Sequence, residues 1–101
     1  MITELHTYVM MAIATFYGSA HHGKYMANNE RYDMHALTCA TWLYPIGTKL
    51  KVSYGIDSVI VTVTDKCDDK TDIDLSYAAF KAICDPDAGR ITVKVEYVEP
   101  D

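Results

Sequence analysis

Two acidic residues, Glu30 and Asp65, stand where a carboxyl group can do chemistry, and a third, Asp74, reads as the more structural acid. Carboxyl groups act as proton donor and anionic partner when their surroundings push their pKa values apart. Each also has a plainer reading. Glu30 lies in a polar stretch, residues 21–33, and fits a solvated charge. Asp65 ends an apolar run and fits the cap of the following turn. Asp74 fits a helix cap or an acceptor for loop amides. His21 and His22 suggest a metal pair, but adjacent side chains point apart in extended chain and no third ligand is in view, so no metal is expected. Tyr17, Tyr25 and Tyr32 can stack on flat apolar ligand faces or pack in the ordinary way.

Those residues need strands and turns to hold them. Ala12-Ile13-Ala14-Thr15-Phe16-Tyr17 alternates and then meets Gly18, as a strand entering a turn does. Residues 36–40 form a short strand candidate before the turn at Pro45-Ile46-Gly47. Lys49-Leu50-Lys51-Val52-Ser53-Tyr54 alternates polar and apolar, the pattern of a half-buried strand. After Gly55, Ser58-Val59-Ile60-Val61-Thr62-Val63-Thr64 is rich in β-branched residues and feeds a charged loop, residues 65–70. One helix is expected over 77–84, capped by Asp74 or Ser76 and ended by Asp85-Pro86. Residues 90–98 alternate as a last strand. Short strands, one helix and frequent turns point to a mainly β fold; the pattern suits a small closed barrel and leaves a sandwich open.

With 101 residues the chain holds one domain. Its formal net charge of −5 comes with no basic stripe, which excludes nucleic acid as a partner and an anionic membrane surface as a docking site. A neutral polymer, read by hydrogen bonds and stacking, suits that balance better. No run is long and apolar enough for a membrane span, and Met1 to Thr7 has neither the basic start nor the apolar stretch of an export signal. The three cysteines, Cys39, Cys67 and Cys84, have no C-x-x-C spacing. In an exported protein two of them would pair, with three pairings open; in the cytosol all would stay reduced.

Three blocks resemble the rare lipoprotein A (RlpA) and expansin group. Ala14-Thr15-Phe16-Tyr17-Gly18, His22-Gly23-Lys24 and Ala27-Asn28-Asn29-Glu30-Arg31-Tyr32-Asp33 form the first. Ala36-Leu37-Thr38 with Leu43-Tyr44-Pro45-Ile46-Gly47-Thr48 is the second. Val63-Thr64-Asp65-Lys66, Ile73-Asp74-Leu75-Ser76 and Ala79-Phe80 are the third. They run in family order across nearly the whole chain.

The resemblance implies a six-stranded double-psi β-barrel with one short helix over residues 12–99, preceded by an extension of residues 1–11. It also implies an open groove on one side. RlpA members that are enzymes are lytic transglycosylases of peptidoglycan; expansin-like members bind or loosen wall polysaccharide; other relatives bind proteins, as protease inhibitors do. Glu30 and Asp65 match the family's two acids and are the expected catalytic pair, with Tyr17, Tyr32, Thr41 and Asp74 as substrate contacts. The partner implied is a wall glycan strand, met by a monomer in the periplasm or outside the cell, without cofactor. Three departures stand out. Thr41 occupies the place of a family histidine, Asn29 replaces the glycine before the glutamate, and Cys67-Asp68-Asp69 makes the groove rim more acidic.

Overall fold

The computed structural model describes residues 9–68 and 70–100; the chain's opening, with the expected absence of an export signal, and Asp69 lie outside them. Period-two alternation is the organising rule. In β3 (Lys49–Tyr54) Leu50 and Val52 are fully buried, while Lys49 and Lys51 face water. In β4 (Asp57–Asp65) Val59, Val61 and Val63 point inward, and in β6 (Ile91–Val98) Ile91, Val93 and Val95 do. β1 (Val9–Phe16) contributes Ala12 and Ala14. It begins at Val9, inside the expected extension, because residues 9–11 pair antiparallel with β6 at Glu96, Val95 and Lys94. β2 spans Thr38–Thr41 and β5 spans Ile73–Leu75.

The six strands close in the order β1-β5-β2-β4-β3-β6. β1 with β5 and β2 with β4 are parallel, and the other four pairings are antiparallel. This is the double-psi barrel, not a sandwich; closure leaves no free edge among these strands. α1 (Tyr77–Ile83) lays Ala79, Phe80 and Ile83 on the barrel core. The helix stops one residue earlier than expected, with Cys84 as its C-cap, and its N-cap is Ser76 rather than Asp74.

β5 is the strand that matters most for chemistry. Ile73 and Leu75 are fully buried, so Asp74 between them points away from the core. The register then sets four residues in one row: Thr15 faces Asp74, Asp74 faces Ala40, and Ala40 faces Asp65. The last rung depends on a bulge. Cys39 pairs with Val63 but Ala40 pairs with Asp65, leaving Thr64 as the extra residue.

Ser76 ties this row to the helix. Its hydroxyl donates to Ala36 O (2.6 Å) and accepts from Ala79 N (3.2 Å). Ser76→Ala removes the cap and leaves the half-buried Ala36 carbonyl short of a donor, so urea denaturation is expected to show a loss of about 1–2 kcal/mol.

Candidate active site

An open cleft of about 280 Å³ lies at the end of the Thr15–Asp65 row. Asp65, Asp74 and Thr71 line it, together with Tyr17, His21 and the segment of Lys66, Cys67 and Asp68. Asp65 is held by three donors. Tyr17 Oη donates to its Oδ2 (2.9 Å), while Ala27 N (3.0 Å) and Lys66 N (2.8 Å) donate to its Oδ1. The carboxyl group therefore has a fixed orientation. The Tyr17 hydroxyl is held well above the usual phenol pKa, first by burial and then by the Asp65 carboxylate that it bonds, so it remains a donor.

Asp74 sits in drier surroundings. Thr15 Oγ1 donates to its Oδ1 (2.9 Å). Burial raises its pKa from 3.8 to about 6; the Thr15 hydrogen bond and His21 oppose the rise, and the charges of Asp65 and Asp68 add to it. Asp74 can thus hold a proton in weakly acidic solution beside a carboxylate fixed for accepting. That is the division of labour between proton donor and anionic partner.

The other expected residues are placed as follows. Glu30 is exposed, with Asn28 Nδ2 donating to its Oε1 (2.7 Å), and it does not line the cleft. Its turn nonetheless docks at the same barrel end, since Ala27 N bonds Asp65 and Asn28 N donates to Thr64 O (3.2 Å). Asn29 carries this turn with φ of 70°, a left-handed conformation that Asn tolerates better than most residues. Tyr32 is buried under Tyr17, ring centroids 4.9 Å apart, and its hydroxyl accepts from Tyr77 N (3.1 Å). Thr41 is fully buried; its hydroxyl donates to Asp72 O (2.6 Å) and accepts from Leu43 N (3.1 Å). Tyr32 and Thr41 thus brace the cleft from behind.

Sequence reasoning set His21 aside with the metal pair, yet its imidazole lines the cleft, 5.5 Å from the Tyr17 ring. His22 turns the other way, where its Nδ1 accepts from Met34 N (3.2 Å) and its ring packs near Tyr32 and His35. Among the described residues no cluster of three or more His, Cys, Asp or Glu is placed to hold a metal, and no helix is long and apolar enough to cross a membrane. Cys39, Cys67 and Cys84 are free thiols. Burial pushes the Cys39 thiol up to about 12 and raises that of Cys67 as well.

The family model described as lytic transglycolase matches residues 9–95, which takes in β1 to β5, most of β6 and the acids of the cleft. The chain belongs to this double-psi barrel family. Among its members, an uncharacterised protein of Synechocystis sp. is 38% identical over 86% of this chain and 97% of its own length. The endolytic peptidoglycan transglycosylase RlpA of Pseudomonas aeruginosa is 36% identical over 98% of this chain. The chain spans only 30% of that relative's length. Two solved structures share the fold. The Streptomyces papain inhibitor superposes with a TM-score of 0.75 at 29% identity, covering 91% of this chain and 96% of its own. The apo Clavibacter michiganensis expansin gives 0.76 at 26% identity, covering 93% and 52%.

The family's cleft carries a cost in stability that can be measured. Asp74 has a folded pKa above its unfolded value, so its favourable contribution is complete below about pH 4 and is lost as pH rises through about 6. Asp74→Asn removes a carboxylate that is poorly solvated above that range. Denaturation against pH is expected to show the variant gaining on the wild type by on the order of 1 kcal/mol between these limits, after allowance for the group's partial contact with water.

Proposed function

We propose that this barrel cleaves the glycan strands of peptidoglycan as a lytic transglycosylase, with Asp74 as proton donor and Asp65 as its anionic partner. The observation that carries the reading is their placement on one register row at an open cleft, in contrasting surroundings. The kinship with RlpA of Pseudomonas aeruginosa supplies the reaction class.

The steps balance without water. Asp74 gives its proton to the glycosidic oxygen as the bond from that oxygen to the anomeric carbon breaks. The oxocarbenium-like centre that develops is stabilised by the Asp65 carboxylate, already oriented by Tyr17 and two backbone amides. The sugar's own 6-hydroxyl then attacks the anomeric carbon, and its proton passes to Asp74, which restores the acid and leaves an anhydro ring. His21 lines the cleft and in this reading bonds the sugar through its imidazole. Glu30, on the turn anchored by Asp65, serves in this reading as an outer contact for the strand, and the proton donor is Asp74 instead. In this reading the protein works in the periplasm or outside the cell, where such strands are found.

A second reading is a wall-glycan binder of expansin type. It is favoured by Thr41, whose hydroxyl is committed to the backbone and brings no titrating group to the cleft. The Streptomyces papain inhibitor, a barrel of similar extent, supports a third, protein-binding reading.

Incubation with peptide-free glycan strands, followed by mass spectrometry of the products, separates the three. Anhydro-sugar ends are expected from the wild type and from Glu30→Gln at a reduced rate, and none from Asp74→Asn. The rate should fall as pH rises through about 6, because the acid form of Asp74 is lost there. Binding without such ends would favour the second reading; neither binding nor cleavage would favour the third.

A further inference from the structure

The chain has a single tryptophan, and it is half exposed: Trp42 keeps 51% of its surface in water. A large aromatic ring left open in this way invites a question about what covers it. It directly follows Thr41 at the end of β2 and meets the cleft through the lining residue Thr71.

Its orientation is set by the cleft itself. Trp42 Nε1 donates to Thr71 O (3.1 Å), and Thr71 lines the cleft. The Trp42 backbone N–H lies against the thiol of Cys67, another lining residue. Cys67 Sγ in turn rests on Thr71 O (3.7 Å). On the residue before it, the hydroxyl of Thr41 is tied to Asp72 O and Leu43 N. The indole's one polar atom is thus satisfied at the rim, and its ring is left as apolar surface on a braced mount. A side chain pinned before binding loses little rotamer freedom when a ligand arrives.

We infer that Trp42 is a stacking platform for one pyranose ring of the glycan strand, at the Thr71 end of the cleft. The inference rests on the glycan reading above and adds to it a residue that sets where the strand lies. One face of a pyranose ring presents C–H groups and is apolar, while its edge carries hydroxyls. An indole face matches the first, and the polar lining of the neighbouring cleft matches the second. Trp42 at the Thr71 rim, together with Tyr17 and His21 in the cleft lining, would hold a strand over the two acids. A strand crossing in this way puts successive sugars on Trp42 and over Asp74.

Because Trp42 is the only tryptophan, its own fluorescence reports the contact without an added label. Peptide-free glycan strands are titrated into the protein carrying Asp74→Asn, so that binding is read without turnover. The emission is expected to shift to the blue and to become shielded from acrylamide. In co-sedimentation, Trp42→Ala should weaken binding about fivefold to tenfold, and Trp42→Phe, which keeps a ring but loses the bond to Thr71, should fall between. Circular dichroism checks that both variants fold; the fluorescence arm needs neither. Strands that bind with unchanged emission, and equally well to Trp42→Ala, would overturn the platform while leaving the proposed activity intact. Strands that the wild type neither binds nor cleaves would overturn both.

Discussion

Between Cys39 and Ala40 the pairing of β2 with β4 skips Thr64, and because side chains alternate along a strand, that single residue decides which way Asp65 faces. Val59, Val61 and Val63 all point into the core. In a regular strand Asp65 would follow them, and an isolated carboxylate there would be very costly. The bulge moves it into the row of Thr15, Asp74 and Ala40, where its carboxyl group reaches the cleft. Thr64 takes up the slack in a buried position, where its hydroxyl lies 3.2 Å from Met26 Sδ. Met26 opens the turn whose amides hold Asp65 and Thr64, so the bulge and the turn stabilise one another.

Around this row the barrel treats its two acids differently. Asp65 is given three donors, and Asp74 is given one together with a drier setting. Burying a carboxyl group with little compensation opposes folding, and it is also what keeps a proton on that group at a useful pH. A barrel whose inward strand positions are valine, leucine, isoleucine, alanine and Cys39 can tolerate one such group outside them. Tyr17 links the two settings, since its ring packs on buried Tyr32 and its hydroxyl orients Asp65.

The residues by which this chain departs from the expected motifs act in its packing. Thr41 closes the end of β2 with a short hydroxyl that bonds the backbone on both sides. Cys67 lies nearby, with a thiol that rests on the Thr71 and Asp72 carbonyls. The acidic rim adds a further consequence, because Asp68 raises the pKa of Asp74 alongside Asp65.

Much of the barrel is legible in the chain. β3, β4 and β6 are long enough for alternation to declare itself, and the helix-forming run at Tyr77 begins after a serine able to cap it. The motif order announces the double-psi family, and Asp65 stands out as an acid at a strand end. Other features are decided only in three dimensions. β5 has three residues, too few to show a period, so Asp74 reads locally as a cap until Ile73 and Leu75 are seen filling the core on either side of it. The Thr64 bulge leaves no trace in composition, because an extra residue is defined only against a partner strand. Glu30 carries the motif, but its carboxyl group is open to water, and no local sequence specifies solvation. His21 and Trp42 lie far along the chain from the acids they flank. Types and spacings along a chain determine which faces of its strands seek burial; pairing between distant strands determines which charges are dried, and that sets the chemistry.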